Sequence, residues 1–147
     1  MASAFLVQVG PYGFGELRDR VSYTNRRWAS RPKDKAHGDV QPGDHVVFYF
    51  TSHVEPAPSQ VSEIYRVVDV TEDHETISLE LAKRTARPLW RETVVDKVRR
   101  GELSRAFRRC GMPGFNICRI PAKDLDFLCG LAVDVSRGEP VRRASEP

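Results

Sequence analysis

The chain has 147 residues, of which 40% are hydrophobic and 29% charged, with a formal net charge of +3. That is one domain's worth of chain, long enough to bury about 70% of its unfolded surface, and its composition excludes wholesale disorder. Nothing approaches the roughly 20 consecutive apolar residues that span a bilayer, and the apolar stretch at 4–9 is too short and unflanked for a signal peptide.

In chain order, Ala4–Val9 reads as a first strand stopped by Gly10-Pro11, and Gly15–Val21 as a short helix. From Ser22 to Gly43 apolar periodicity is nearly absent, so the expectation is one long polar loop, a kind of segment that tends to carry function. Gln41-Pro42-Gly43-Asp44 is a turn with Pro and Gly at its centre. It launches His45–Phe50, which is apolar at successive positions, as in a central strand. Strands are expected at Val61–Val70 and Thr76–Lys83, a helix at Trp90–Leu103 and a further helical turn at Ser104–Cys110. Phe115–Ile120 reads as the last strand and Ala122–Val133 as a closing helix. Residues 136–147 form a polar, Pro-containing tail after a single domain at 1–135. Strands with interspersed helices predict an α+β chain whose mixed, mostly antiparallel sheet closes into a small barrel.

Charge is uneven. Eleven Lys and Arg but only three acids lie between Lys83 and Arg119. Such a patch is either a phosphate-binding surface or a solvated face whose arginines pair locally. The three cysteines are too few and too scattered for a disulfide framework or a metal pair, and a reducing, cytoplasmic setting is expected. His37, His45, His53 and His74 match no common metal spacing, and neither a nucleophile elbow nor a Walker loop occurs. The expectation is therefore no catalytic residue, metal or cofactor.

The Trp28 segment, the Gly43-Asp44 turn leading into Val46-Val47-Phe48-Tyr49, the Arg66-Val67-Val68 strand, and the late Phe115–Ile120 strand with its short helix together resemble the EVE domains of the PUA-like superfamily, relatives of YTH domains. The resemblance spans about residues 4–130. The chain departs from the family in carrying Ser62-Glu63 where a Gly is common, and in a Pro-poor Arg87-Pro88-Leu89-Trp90. The resemblance implies a reader that holds a flipped or single-stranded modified base, such as a methylated one, in an aromatic-walled pocket. Its partner would be DNA or RNA, with an effector protein or fused domain beside it.

Base recognition needs π-faces and a few donors and acceptors. Trp28 fits either a pocket wall or a loop anchor; Tyr23, Thr24 and Asn25 fit either a base edge or a turn. Tyr49, Phe50, Thr51 and Ser52 close the central strand, and with one face in the core only one pair (Tyr49 and Thr51, or Phe50 and Ser52) reaches a pocket. Trp90 is a second wall or a core staple at the start of a helix. Arg26, Arg27, Arg105, Arg108 and Arg109 are the expected phosphate contacts. The rival readings are an RNA-binding PUA-like module indifferent to modification, a small-molecule or protein-binding barrel with solvated arginines, and a nucleotide hydrolase whose barrel pocket leaves no linear motif.

Overall fold

The computed structural model describes residues 2–9, 25–29, 35–51, 59–72, 74, 76–113 and 115–134. They form strands β1 (Ala4–Val9), β2 (Asn25–Ala29), β3 (His45–Phe50), β4 (Gln60–Val70), β5 (Thr76–Trp90), β6 (Ile117–Ile120) and β7 (Ala132–Asp134). Two helices, α1 (Arg91–Arg99) and α2 (Ala122–Gly130), and 3-10 turns at Lys35–Asp39 and Arg105–Arg109 complete the order.

The strands form one mixed sheet in the order β2-β5-β4-β3-β1-β6, with β7 also on β5. Only β1 and β3 run parallel; every other pairing is antiparallel. Among the described residues β2 and β6 end the path and no ladder joins them, so the described sheet is open where a closed barrel was expected.

Strand β3 is central because both of its faces are apolar. Val46, Phe48 and Phe50 pack with Phe5, Val7, Tyr65, Val67, Ile77, Leu79 and Leu81 on one face. On the other, Val47 and Tyr49 pack with Leu6, Val61, Ile64 and Leu89 beneath Val94 of α1, Phe107 of the second 3-10 turn and Leu128 of α2. A strand covered on both faces reads as a continuous apolar run. The expectation that only one face would be core is therefore corrected: Tyr49 and Phe50 are buried on opposite sides.

The turn before β3 shows why Gly and Asp stand there. Gly43 has φ +92, a value that favours glycine. The Asp44 N–H closes the turn on the Gln41 carbonyl at 3.1 Å. The Asp44 carboxylate accepts from the N–H groups of Gln41 and Ser3, both at 2.8 Å, and so ties the turn to the start of β1.

Other expectations need correction. The predicted loop at 22–43 contains strand β2 and the Lys35–Asp39 turn. Strand β5 runs on to Trp90, so the helix begins at Arg91. Trp90, Val94 and Val98 mimic one helical stripe, but it is Leu89 that enters the core beside Val94. Helix α2 stops at Gly130, and Ala132–Asp134 returns as an edge strand rather than as its last turn. The late strand is confined to Ile117–Ile120. The proposed helix at 15–21 and the tail at 136–147 lie outside the described residues.

Candidate nucleic-acid interface

At the end of β3, Phe50 pairs with Gln60 of β4, and Gln60 pairs with Trp90 of β5. Directly paired residues project from the same side of a sheet, and neighbouring strands lie about 4.8 Å apart. Phe50 and Trp90 therefore stand roughly 10 Å apart at the backbone, with the Gln60 amide between them. Trp90 is 46% exposed, whereas Phe50 and Gln60 are each 4% exposed. The next row inward on this face is Phe48, Glu63 and Arg84. The Phe48 ring lies 6.0 Å from Phe50, edge-on, and 4.7 Å from Tyr65. The Tyr65 hydroxyl donates to Glu63 Oε1 at 2.7 Å, and Glu63 is 3% exposed. One face thus interleaves four aromatic rings with an amide, a carboxylate and a guanidinium.

A local irregularity creates this face. Ser62 has no partner in either ladder, and β5 carries extra residues between Arg84 and Leu89. Thr85 Oγ1 donates to the Ser62 carbonyl at 3.4 Å within the bulge. Pro88 offers no N–H to a ladder, as expected of a residue at a bulge. The shifted register places Leu89 opposite Val61 in the core and leaves Trp90 beside Gln60.

The opposite side of the same end is tied down rather than open. Burial raises the Tyr49 phenol above its ordinary value, and its hydroxyl hydrogen-bonds to Ser59. Gln8, paired with Tyr49, donates from Nε2 to the carbonyls of Met112 and Phe115, both at 3.0 Å. Its Oε1 accepts from the Gly111 N–H at 2.7 Å. Thr51 Oγ1 is buried without a hydrogen-bond partner among the described residues. The Cys110 thiol is pushed up to about 12, mainly by burial, which makes it inert as a nucleophile near neutral pH. Among the described residues no group of three His, Cys, Asp or Glu side chains is arranged to hold a metal ion.

The basic segment divides into paired and unpaired cations. Lys83 pairs with Asp134, Lys97 with Glu102, Arg100 with Asp96 and Arg119 with Asp39. Arg87, Arg99, Arg105 and Arg108 are exposed and make no ion pair with a described residue. Arg105 and Arg108 are three apart in a 3-10 turn, so they project from one side while Phe107 enters the core. Arg109 turns away from them, 6.0 Å from the Phe115 ring and hydrogen-bonded to the Cys118 sulfur.

The structure separates residues that were expected in one pocket. Tyr49, Phe50, Thr51 and Trp90 gather at the C-terminal end of β3. Asn25 and Trp28 pair with Glu80 and Ile77 near the start of β5, at the other end of the ladders, and Arg26 and Arg27 lie between them. Tyr23, Thr24 and Ser52 lie outside the described residues. Gln60, Glu63 and Arg84 were not anticipated. Gln60 and Glu63 are polar strand residues that pair with Phe50 and Phe48, and Arg84 pairs in turn with Glu63.

No protein-family model and no curated protein matches the chain. Solved structures do. Human THYN1 in complex with 5-methylcytosine-containing DNA superposes with a TM-score of 0.62 at 12% identity, over 88% of this chain and 97% of that one. The DUF55 domain of human thymocyte nuclear protein 1 gives 0.58 at 11% identity, over 88% and 98%. Rpa0253 from Rhodopseudomonas palustris gives 0.62 at 10%, over 88% and 92%. The chain has the fold of the EVE (DUF55) domains, the PUA-like type that its sequence resembles.

Proposed function

We propose that this protein is a nucleic-acid reader that holds one unstacked, modified base against Trp90, with Gln60 addressing the base edge. The observation that carries the reading is the Phe50–Gln60–Trp90 row: a half-exposed indole beside a buried amide and a second ring. Stacking on an aromatic side chain contributes roughly 1–3 kcal/mol per base, and an amide supplies both a donor and an acceptor. Arg105 and Arg108 serve the sequence-independent part of binding, as cations with no acid beside them among the described residues. The fold shared with human THYN1, solved with 5-methylcytosine-containing DNA, supports DNA carrying a modified cytosine as the first ligand to try.

The test is a binding comparison of single- and double-stranded oligonucleotides with and without one modified base, repeated with Trp90→Ala. Preference for a modified oligonucleotide, lost in the variant, is expected. Equal affinity for modified and plain oligonucleotides would instead favour an RNA- or DNA-binding module indifferent to modification, a reading that the exposed Arg105 and Arg108 also support.

A further inference from the structure

We infer that Glu63 makes this site selective for bases that present an exocyclic amino group, as cytosines and adenines do, over bases that present a carbonyl there. The inference rests on the proposed base site at Phe50, Gln60 and Trp90.

Glu63 belongs to the row directly inward of that site, between Phe48 and Arg84 on the same face of the sheet. One row corresponds to about 7 Å along a strand, so a ring entering edge-first beside Gln60 brings its leading substituent toward Glu63. An ionised carboxylate only accepts hydrogen bonds. It therefore attracts an amino group, as in the pairing of Glu with the cytosine N4 amine, and repels a carbonyl oxygen. Tyr65 fixes the group by donating to Oε1 at 2.7 Å. Arg84, directly opposite in the ladder, carries only donors, which match the ring nitrogen and carbonyl acceptors beside such an amine.

The test uses one oligonucleotide carrying either 5-methylcytosine or thymine at a single position. The two bases share the methyl group and differ at C4, amino against carbonyl, and with it at N3, a bare acceptor against an N–H donor. The wild-type protein is expected to prefer 5-methylcytosine on the order of tenfold, the usual worth of one correct base-edge contact. Glu63→Gln, which can present a donor to the carbonyl, should bring that ratio close to one, and Tyr65→Phe should reduce it in part. Equal wild-type affinities overturn the inference without any variant. So does a folded Glu63→Gln protein that keeps the full ratio, because a merely structural Glu63 would alter stability and leave the ratio alone. Binding that needs Trp90 but ignores the amino group overturns only the selectivity. Binding of neither oligonucleotide, or binding indifferent to Trp90, overturns the underlying site as well.

Discussion

Trp28 and Trp90 stand at opposite ends of β5: Trp28 pairs with Ile77 where the strand begins, and Trp90 is the residue on which it ends. Only Trp90 shares a row with Phe50 and Gln60. Trp90→Ala is therefore expected to weaken binding of a preferred oligonucleotide about tenfold, from loss of roughly 1–3 kcal/mol of stacking. Trp28→Ala should weaken it less. Fluorescence anisotropy titrations of both variants check this, and a larger loss for Trp28 would move the site to the β2 end of the sheet.

Arg105 and Arg108 project from one side of their 3-10 turn, whereas Arg100 lies 3.0 Å from Asp96. A cation already paired with an acid contributes little to counterion release, and an unpaired one contributes about 0.9 to the slope of log affinity against log salt. Replacing Arg105 and Arg108 together should lower that slope by nearly two, and Arg100→Ala should change it by well under one. Titrations at several salt concentrations with one plain oligonucleotide measure both.

What the sequence made legible follows from how local each signal is. The β3 run and the Gly43-Asp44 turn announce themselves because contiguous residues carry them, and both are present. The end of β5 reads as helix because Val94, Val95 and Val98 share one helical face just beyond it, while the bulge that keeps Trp90 in a strand depends on Ser62, more than twenty residues earlier. Strand pairing, not chain order, likewise decides which of the aromatic residues share a row. Trp28 and Phe50 stand on strands that follow one another in the chain, β2 and β3, but β5 and β4 lie between these strands in the sheet. Gln60 and Glu63 look like ordinary strand residues until the register shows that they face aromatic rings.

Gln8 satisfies three backbone groups of the 111–115 turn with one buried amide. Gln8→Leu leaves the Gly111 N–H and the Met112 and Phe115 carbonyls without that partner. Buried unsatisfied groups cost about 1–3 kcal/mol each, with partial relief by water, so a total loss of about 2–4 kcal/mol is expected. Urea unfolding should show the midpoint shift with an unchanged slope.

Gly101 and Gly111 both have positive φ, at +79 and +86, but differ in what a side chain would meet. Nothing lies within 4 Å of a Cβ at Gly101, whereas Arg91 Nε would lie 2.8 Å from one at Gly111. Gly101→Ala should cost about 1 kcal/mol, the strain of the left-handed conformation alone. Gly111→Ala should cost at least about 1 kcal/mol more, because Arg91 must also give up its place against the Cys110 carbonyl. Equal losses in thermal unfolding would show that Arg91 moves aside freely.

His45 opens β3 with its Nδ1 buried and without a hydrogen-bond partner among the described residues. Burial lowers its pKa below the ordinary 6.5, and the charge of Arg66 lowers it further, against a smaller opposing pull from Asp44. Well above pH 6.5 the imidazole is neutral in both the folded and the unfolded chain, so its contribution does not vary there. As pH falls below 6.5 the unfolded chain takes up the proton first, and stability declines until the folded imidazole also titrates. His45→Gln should remove this component, so the difference in melting temperature between variant and wild type should shift in the variant's favour between pH 7 and pH 5.5. A difference constant across that range would show that His45 titrates alike in both states.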